Sequence, residues 1–242
     1  MTEKERFDLC MSTKLGDILS EEFKTYLLAN GFFSAPASTK HHGAYEGGLF
    51  DHSFAVMNFL VELSAKNGLK WQRAESPFIV GMFHDLCKID SYRHPIVEEL
   101  FDGNKVCPIY DESKWEHNPN TQFKGHGDKS IILLSQHIVL TEEEALCIRY
   151  HMGAFVEKDE WRDYTNAIHR YANVLWTHHA DMLAVYEPSG TKTQTETGTS
   201  HCKRTCLEYE GERYSANQDT GYEHCRRHSL FPHAGDSCHG YS

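Results

Sequence analysis

Six side chains of the types that can bind a metal ion, through an imidazole nitrogen or a carboxylate oxygen, stand far apart in this chain: His52, the adjacent pair His84 and Asp85, His126, His151 and Asp181. A lone histidine on an apolar segment is most simply a core imidazole hydrogen-bonded to backbone. A spaced set that also carries aspartates has a sharper reading, a metal centre. Imidazole and carboxylate ligands together suit Mn, Fe, Co, Ni or Zn, and too few oxygens are offered for a purely Ca or Mg site. His84 and Asp85 constrain the geometry most. Neighbours on a helix point about 100° apart, so both face one site only near a helix end, or if the carboxylate reaches across between two metals.

Other reactive groups lie close to these in sequence. Lys88, one turn after His84 in HDLCK, has the type and place to act as a fixed cation opposing negative charge that develops at such a centre; the plainer alternative is a lysine solvated at a helix end. His41, His42 and Tyr45, in the loop ahead of His52, are candidates for substrate contact. Arg149 is another, with a surface ion pair as its alternative. His178 and His179 precede Asp181, and one of them is a candidate to orient a ligand, as metal sites require.

These residues need elements to bring them together. Residues 14–29 place Leu15, Ile18, Leu19, Phe23, Tyr26 and Leu27 at helical spacing, with Gly31 as a stop, and predict a first amphipathic helix. The small, glycine-rich SAPASTKHHGAYEGG reads as a loop. From His52 the positions Val56, Phe59, Leu60 and Leu63 share one helical face, and Gly68 marks the end. Residues 77–90 read as a shorter helix, apolar nearly all round and therefore central. Residues 91–125 lose that period; KVCPIY and DESKWEHNPN look like a strand or hairpin with a long loop, a candidate lid or substrate wall. Helices resume at GHGDKSIILLSQHI and at TEEEALCIRYHM, where Thr141 and Glu144 have capping-box spacing. One long helix is expected over about 164–186. Distant positions on separate helices can line a shared interior in a bundle. The fold class expected is all-α, with a small hairpin or loop insertion near 91–125.

After Pro188 the composition changes. A Thr, Ser and Gly linker at 188–200 separates a domain at 1–187 from a Cys- and His-rich tail at 201–242. Cys202, Cys206, Cys225 and His228 have the rough spacing of a structural zinc site, but the segment holds few apolar residues to pack around a metal, so a mobile tail is the favoured expectation. Cys10, Cys87, Cys107 and Cys147 lie among apolar segments and read as reduced, core-packed thiols. No stretch approaches the roughly 18 apolar residues of a membrane span, and the charged start lacks a signal-like apolar run. A soluble, cytoplasmic protein is the default expectation. A net charge of -11 disfavours broad binding to a nucleic-acid backbone, duplex DNA included.

Across residues 32–186, the segments HHGAYEGGLFDHS, FHDLCKID, GHGDKS, IRYHMG and HHAD resemble the HD-domain metal-dependent phosphohydrolases, and most closely the small stand-alone members of the group that includes an HD-type 3'-5' exoribonuclease. The resemblance implies an HD-domain helical bundle in which His52, His84, Asp85 and Asp181 hold one metal. His126 and His151 would hold a second, with Asp85 shared and catalytic. Two metals about 3.5–4 Å apart bind a water between them, lower its pKa and aim it at phosphorus. The exonucleases carry a nucleic-acid-binding module ahead of the HD domain, and the stretch here is too short for one. The expected substrate is therefore a small nucleotide or similar phosphoester, with short single-stranded RNA the remaining polymer to consider. Two rival readings keep the residues and change the outcome: an HD-fold di-iron oxygenase, or a non-catalytic nucleotide sensor. The intact ligand set argues against the sensor, which has no need of two reactive metals.

Overall fold

The computed structural model describes residues 1–186 apart from 103–104 and 123–124, and all of these fall in one unit. The linker, the tail and its four candidate zinc ligands, Cys202, Cys206, Cys225 and His228, lie outside the described residues.

The described chain is mostly helical, with two small antiparallel sheets. It opens with a helix that apolar spacing does not reveal, α1 (Glu3–Met11). Its signal is a capping box: Glu5 N–H donates to the Thr2 hydroxyl at 3.2 Å, and Thr2 N–H donates to the Glu5 carboxylate at 2.7 Å. The single helix expected over 14–29 is two, α2 (Leu15–Ile18) and α3 (Glu21–Ala29). Leu19 is extended, and the Ser20 hydroxyl accepts from Phe23 N–H at 3.1 Å. An N-cap serine followed by two glutamates outcompeted an apolar spacing that continues across the break. Leu15, Leu19, Phe23 and Leu27 are all buried.

Helix α4 (Gly48–Asn67) begins one turn before His52, after Gly47 at φ 81°, and ends on Gly68 at φ 61°. Arg6 of α1 fixes this entry. Its guanidinium donates to Asp51 at 3.1 Å and to the Glu46 carbonyl at 3.1 Å, and lies where a Cβ on Gly47 would stand. Helix α5 (Ser76–Phe83) is buried along nearly its whole length, as an all-round apolar segment must be, but it is shorter than the 77–90 expected. It packs closely on α4: a Cβ added to Gly81 would lie 2.4 Å from Met57 Cα. A 3-10 turn (Leu86–Asp90) follows the break at Asp85.

The 91–125 segment forms two ribbons. Strands β2 (Ile96–Asp102) and β3 (Lys105–Tyr110) make a hairpin, and β1 (Tyr92–Arg93) pairs with β4 (Glu116–His117). Cys107 lies exposed in that hairpin, contrary to the core-packed reading, whereas Cys10, Cys87 and Cys147 are buried free thiols. Burial pushes Cys10 up to about 12.

Helices α6 (Gly127–Ser135) and α7 (Glu142–Arg149) stand where expected, the latter with its Thr141–Glu144 capping box. The last long helix is instead α8 (Trp161–Arg170) and α9 (Asn173–Tyr186), parted by an extended Tyr171. A tertiary anchor overrides periodicity there: the Asn173 amide donates to the Lys70 carbonyl and to Glu143, both at 2.8 Å. Phe23, Phe32, Phe33, Phe50 and Phe83 lie in the core under α3–α5. No helix among the described residues is long and apolar enough to cross a membrane.

Candidate metal centre

Five element ends or faces converge on one buried point. His52 projects from α4, one turn past its glycine entry. His84 is the cap residue of α5, its N–H still donating to the Val80 carbonyl at 2.9 Å, and Asp85 leaves the helix with φ -105°. The adjacent pair therefore reaches one site by the helix-end route. His126 immediately precedes α6, His151 lies two residues past the end of α7, and Asp181 sits within α9.

Asp85 is the hub. Its Oδ2 lies 3.7 Å from His52 Nε2 and 3.5 Å from His84 Nε2. Its Oδ1 lies 3.1 Å from His126 Nε2 and 3.4 Å from His151 Nε2. Asp181 Oδ1 closes the first side, 3.1 Å from His52 Nε2 and 3.9 Å from His84 Nε2. The two carboxylate oxygens of one aspartate thus face two different histidine pairs.

The imidazoles are oriented for coordination. A ring nitrogen facing a carbonyl must be the donor, so His84 and His151 donate Nδ1–H to the Gly81 and Ile148 carbonyls at 2.9 and 2.7 Å. That fixes each tautomer and leaves Nε2 as a bare lone pair aimed at the centre. His84 Nε2 and His151 Nε2 are buried without a hydrogen-bond partner among the described residues, and His126 Nε2 faces Asp85 Oδ1 at 3.1 Å. Each such atom costs about 1–3 kcal/mol when unsatisfied. Two bare imidazole nitrogens facing one carboxylate are an arrangement that could hold a metal ion.

The electrostatics agree. Burial holds His84 down at about 3, the neutral form a ligand needs. Burial also disfavours a charged His126, but the Asp85 carboxylate outweighs it and raises that imidazole to about 10. Burial of Asp85 itself would raise its pKa; Lys88, His84 and His126 together hold it well below the usual range. Lys88 Nζ stands 2.6 Å from Asp85 Oδ2. Both oxygens of Asp85 therefore draw positive charge. Three overlapping groups, His52 with His84 and Asp85, His84 with His151 and Asp181, and Asp85 with His126 and His151, each bring ligand atoms within 4.8 Å of one another.

Supporting contacts hold these loops in register. A Cβ on Gly127 would meet the Arg149 carbonyl at 2.4 Å, so the α6 entry packs directly on the α7 exit and sets His126 beside His151. Lys129, almost fully buried, pairs with Asp90 and Thr121, tying the segment ahead of His126 to the turn after Asp85. His178 Nδ1 donates to the His151 carbonyl at 2.8 Å; of the two histidines before Asp181 it is the one that braces a ligand candidate.

The centre floors an open cleft of ≈ 700 Å³. Lys88, His41 and His42 border it, and Lys88 is largely buried, not solvated at a helix end. Tyr45 and Arg149 are not brought there. The Tyr45 hydroxyl donates to Asp51 at 3.1 Å, and Arg149 lines an adjoining pocket, paired with Glu160 at 3.0 Å. Tyr92, Met152, Phe155 and Met182 also line the cleft; sequence reasoning did not single them out, because nothing in their type or spacing sets them apart from packing positions. Cys87, whose sulfur lies 3.5 Å from His126 Nδ1, carried one signal: it sits two residues after Asp85.

No protein-family model, curated protein or solved structure matches this chain. The fold and the site together define a mostly helical protein whose buried His/Asp cluster could hold a metal ion.

Proposed function

We propose that the chain is a metal-dependent phosphohydrolase of the HD-domain type, acting on a nucleotide or similar small phosphoester with two divalent transition metals sharing Asp85. The observation that carries this reading is the division of Asp85 between His52 and His84 on one oxygen and His126 and His151 on the other. His52, His84 and Asp181 would complete one metal's ligands, and His126 and His151 the second's. When bound, the metals supply Lewis acidity that acidifies water and neutralises phosphate charge.

The chain's own residues do the rest. Lys88, fixed on Asp85 and raised by it against the cost of burial, keeps its charge at the cleft floor. There it opposes charge accumulating on a phosphate oxygen. His42 packs its ring 5.2 Å from that of His52, and burial lowers its pKa, so it faces substrate as a neutral imidazole. Hydrolysis replaces the P–O bond to the leaving group with one from water, and a water proton ends on the leaving oxygen.

The test is a turnover screen of mononucleotides, cyclic nucleotides, dinucleotides and short RNA with Mn, Fe, Co, Ni and Zn, each also run anaerobically. Phosphoester cleavage without oxygen is the expected result. Oxygen consumption with no cleavage would favour the di-iron oxygenase, and tight nucleotide binding without turnover would favour a sensor.

A further inference from the structure

The cleft lining is of two chemical kinds. Beside the metal candidates it carries Lys88, the one lysine or arginine among the described residues that line it. Arg149, in the adjoining pocket, is already held by Glu160 at 3.0 Å and Asp128 at 3.5 Å. Much of the remaining lining is apolar: Met152, Phe155, Met182, Val185 and Tyr186. These residues continue the segments that supply ligands, since Met152 follows His151 and Met182 follows Asp181. The apolar surface therefore begins where the ligand set ends.

Two of these residues stand out. Phe155, in the 3-10 turn Gly153–Phe155, is 73% exposed, and Tyr186, in the last turn of α9, is 75% exposed. Neither ring meets another aromatic ring among the described residues, so both faces of each are open. Gly153, at φ 61°, sets the Phe155 turn against the His178 ring: a Cβ there would come within 2.6 Å of it. The exposed Phe155 ring is thus carried by a turn packed directly on a residue bordering the centre.

We propose that Phe155 and Tyr186 form a stacking rim that selects, for this centre, esters in which a single phosphate is carried on a flat, uncharged body. Aromatic faces bind any planar base-like group without needing a particular hydrogen-bond pattern. A polyphosphate chain is disfavoured for a separate reason. Its further phosphates are usually held by guanidinium forks or lysines, and beyond Lys88 no lysine or arginine stands among the described residues that line the cleft. The turnover part of this inference rests on the phosphohydrolase reading; the binding of the flat body does not.

The experiment uses the full chain with Phe155→Ala and Tyr186→Ala, whose metal content reports that they fold. The four ribonucleosides, which carry no phosphate, are titrated into the metal-free protein by calorimetry. For the tightest binder, kcat/KM is then measured on the metal-loaded protein for its 5'-monophosphate, its 5'-triphosphate and ribose 5-phosphate. Nucleoside affinity, and the preference for the monophosphate over ribose 5-phosphate, should each fall about 5- to 100-fold in either variant. The triphosphate should be the poorer nucleotide substrate. No nucleoside binding, or binding and preference unchanged in both variants, overturns the rim. A triphosphate cleaved as well as the monophosphate overturns the single-phosphate restriction. If nucleoside binding depends on both rings but no phosphoester is cleaved with any metal, the rim stands and the phosphohydrolase reading falls.

Discussion

At the scale of single residues, His126 and Lys88 carry the sharpest expectations. Without metal, the Asp85 carboxylate keeps His126 protonated up to about 10, although burial opposes it. A metal takes only the neutral imidazole, so its arrival must release that proton. Calorimetric titration at pH 7.5 in buffers of different ionisation enthalpy should report about one proton released through His126, and His126→Ala should lose that proton. The linked effect on folding has a definite sign. Raised above its ordinary 6.5, His126 contributes stability to the metal-free protein that is fully present below that pH and lost as pH climbs toward 10. His84, held at about 3 by burial, acts oppositely, since the unfolded chain binds its proton first as pH falls below 6.5. Metal-free stability should therefore decline on both sides of that region in a denaturant series. Lys88→Met should retain metal yet lose about 10²–10³-fold in turnover if the ammonium stabilises charge on the phosphate; undiminished turnover would leave it only a partner for Asp85. The six ligand candidates were legible because nitrogen and carboxylate donors in apolar segments are costly and need a reason. Tyr45 and Arg149 were not legible as bystanders, because closeness in sequence does not reveal that Asp51 and Glu160 engage them.

At the scale of elements, the centre depends on glycines that let backbones touch. Gly81 sits where α5 crosses α4, with Met57 Cα 2.4 Å from any added Cβ. Gly81→Ala should separate the helices that carry His84 and His52, costing about 1–3 kcal/mol of unfolding free energy and weakening metal binding in the same variant; denaturant titration and metal analysis check the two together. Elements with strong apolar faces, α4 and α5, could be read from spacing, as could α7 from its capping box. The breaks could not. Ser20 and Asn173 interrupt segments whose apolar spacing runs on unbroken, because a side-chain cap in one case and a buried amide anchored on Lys70 and Glu143 in the other decide the backbone locally. Helix α1 was missed for the converse reason: its faces are mostly polar, and it is held by a cap and by Arg6 reaching Asp51. The break at Asp85, also unread from spacing, is the one that shapes the candidate centre, since it lets two adjacent residues face one point.

At the scale of the whole molecule, every ligand candidate of this centre lies between His52 and Asp181, and the contacts that orient them lie within the same described region. Truncation after Glu187 should therefore leave both metal content and catalytic activity at the level of the full chain. A zinc equivalent lost on truncation would instead place a separate site among Cys202, Cys206, Cys225 and His228. The central claim is that one aspartate is shared between two metals, and metal equivalents per folded chain, measured by elemental analysis after reconstitution and desalting, test it most directly. The natural chain should hold two, His126→Ala about one, and Asp85→Ala close to none, because removing the shared carboxylate leaves neither metal with its charge balance. A natural chain that holds one metal or none, or an Asp85→Ala chain that keeps two, would contradict it.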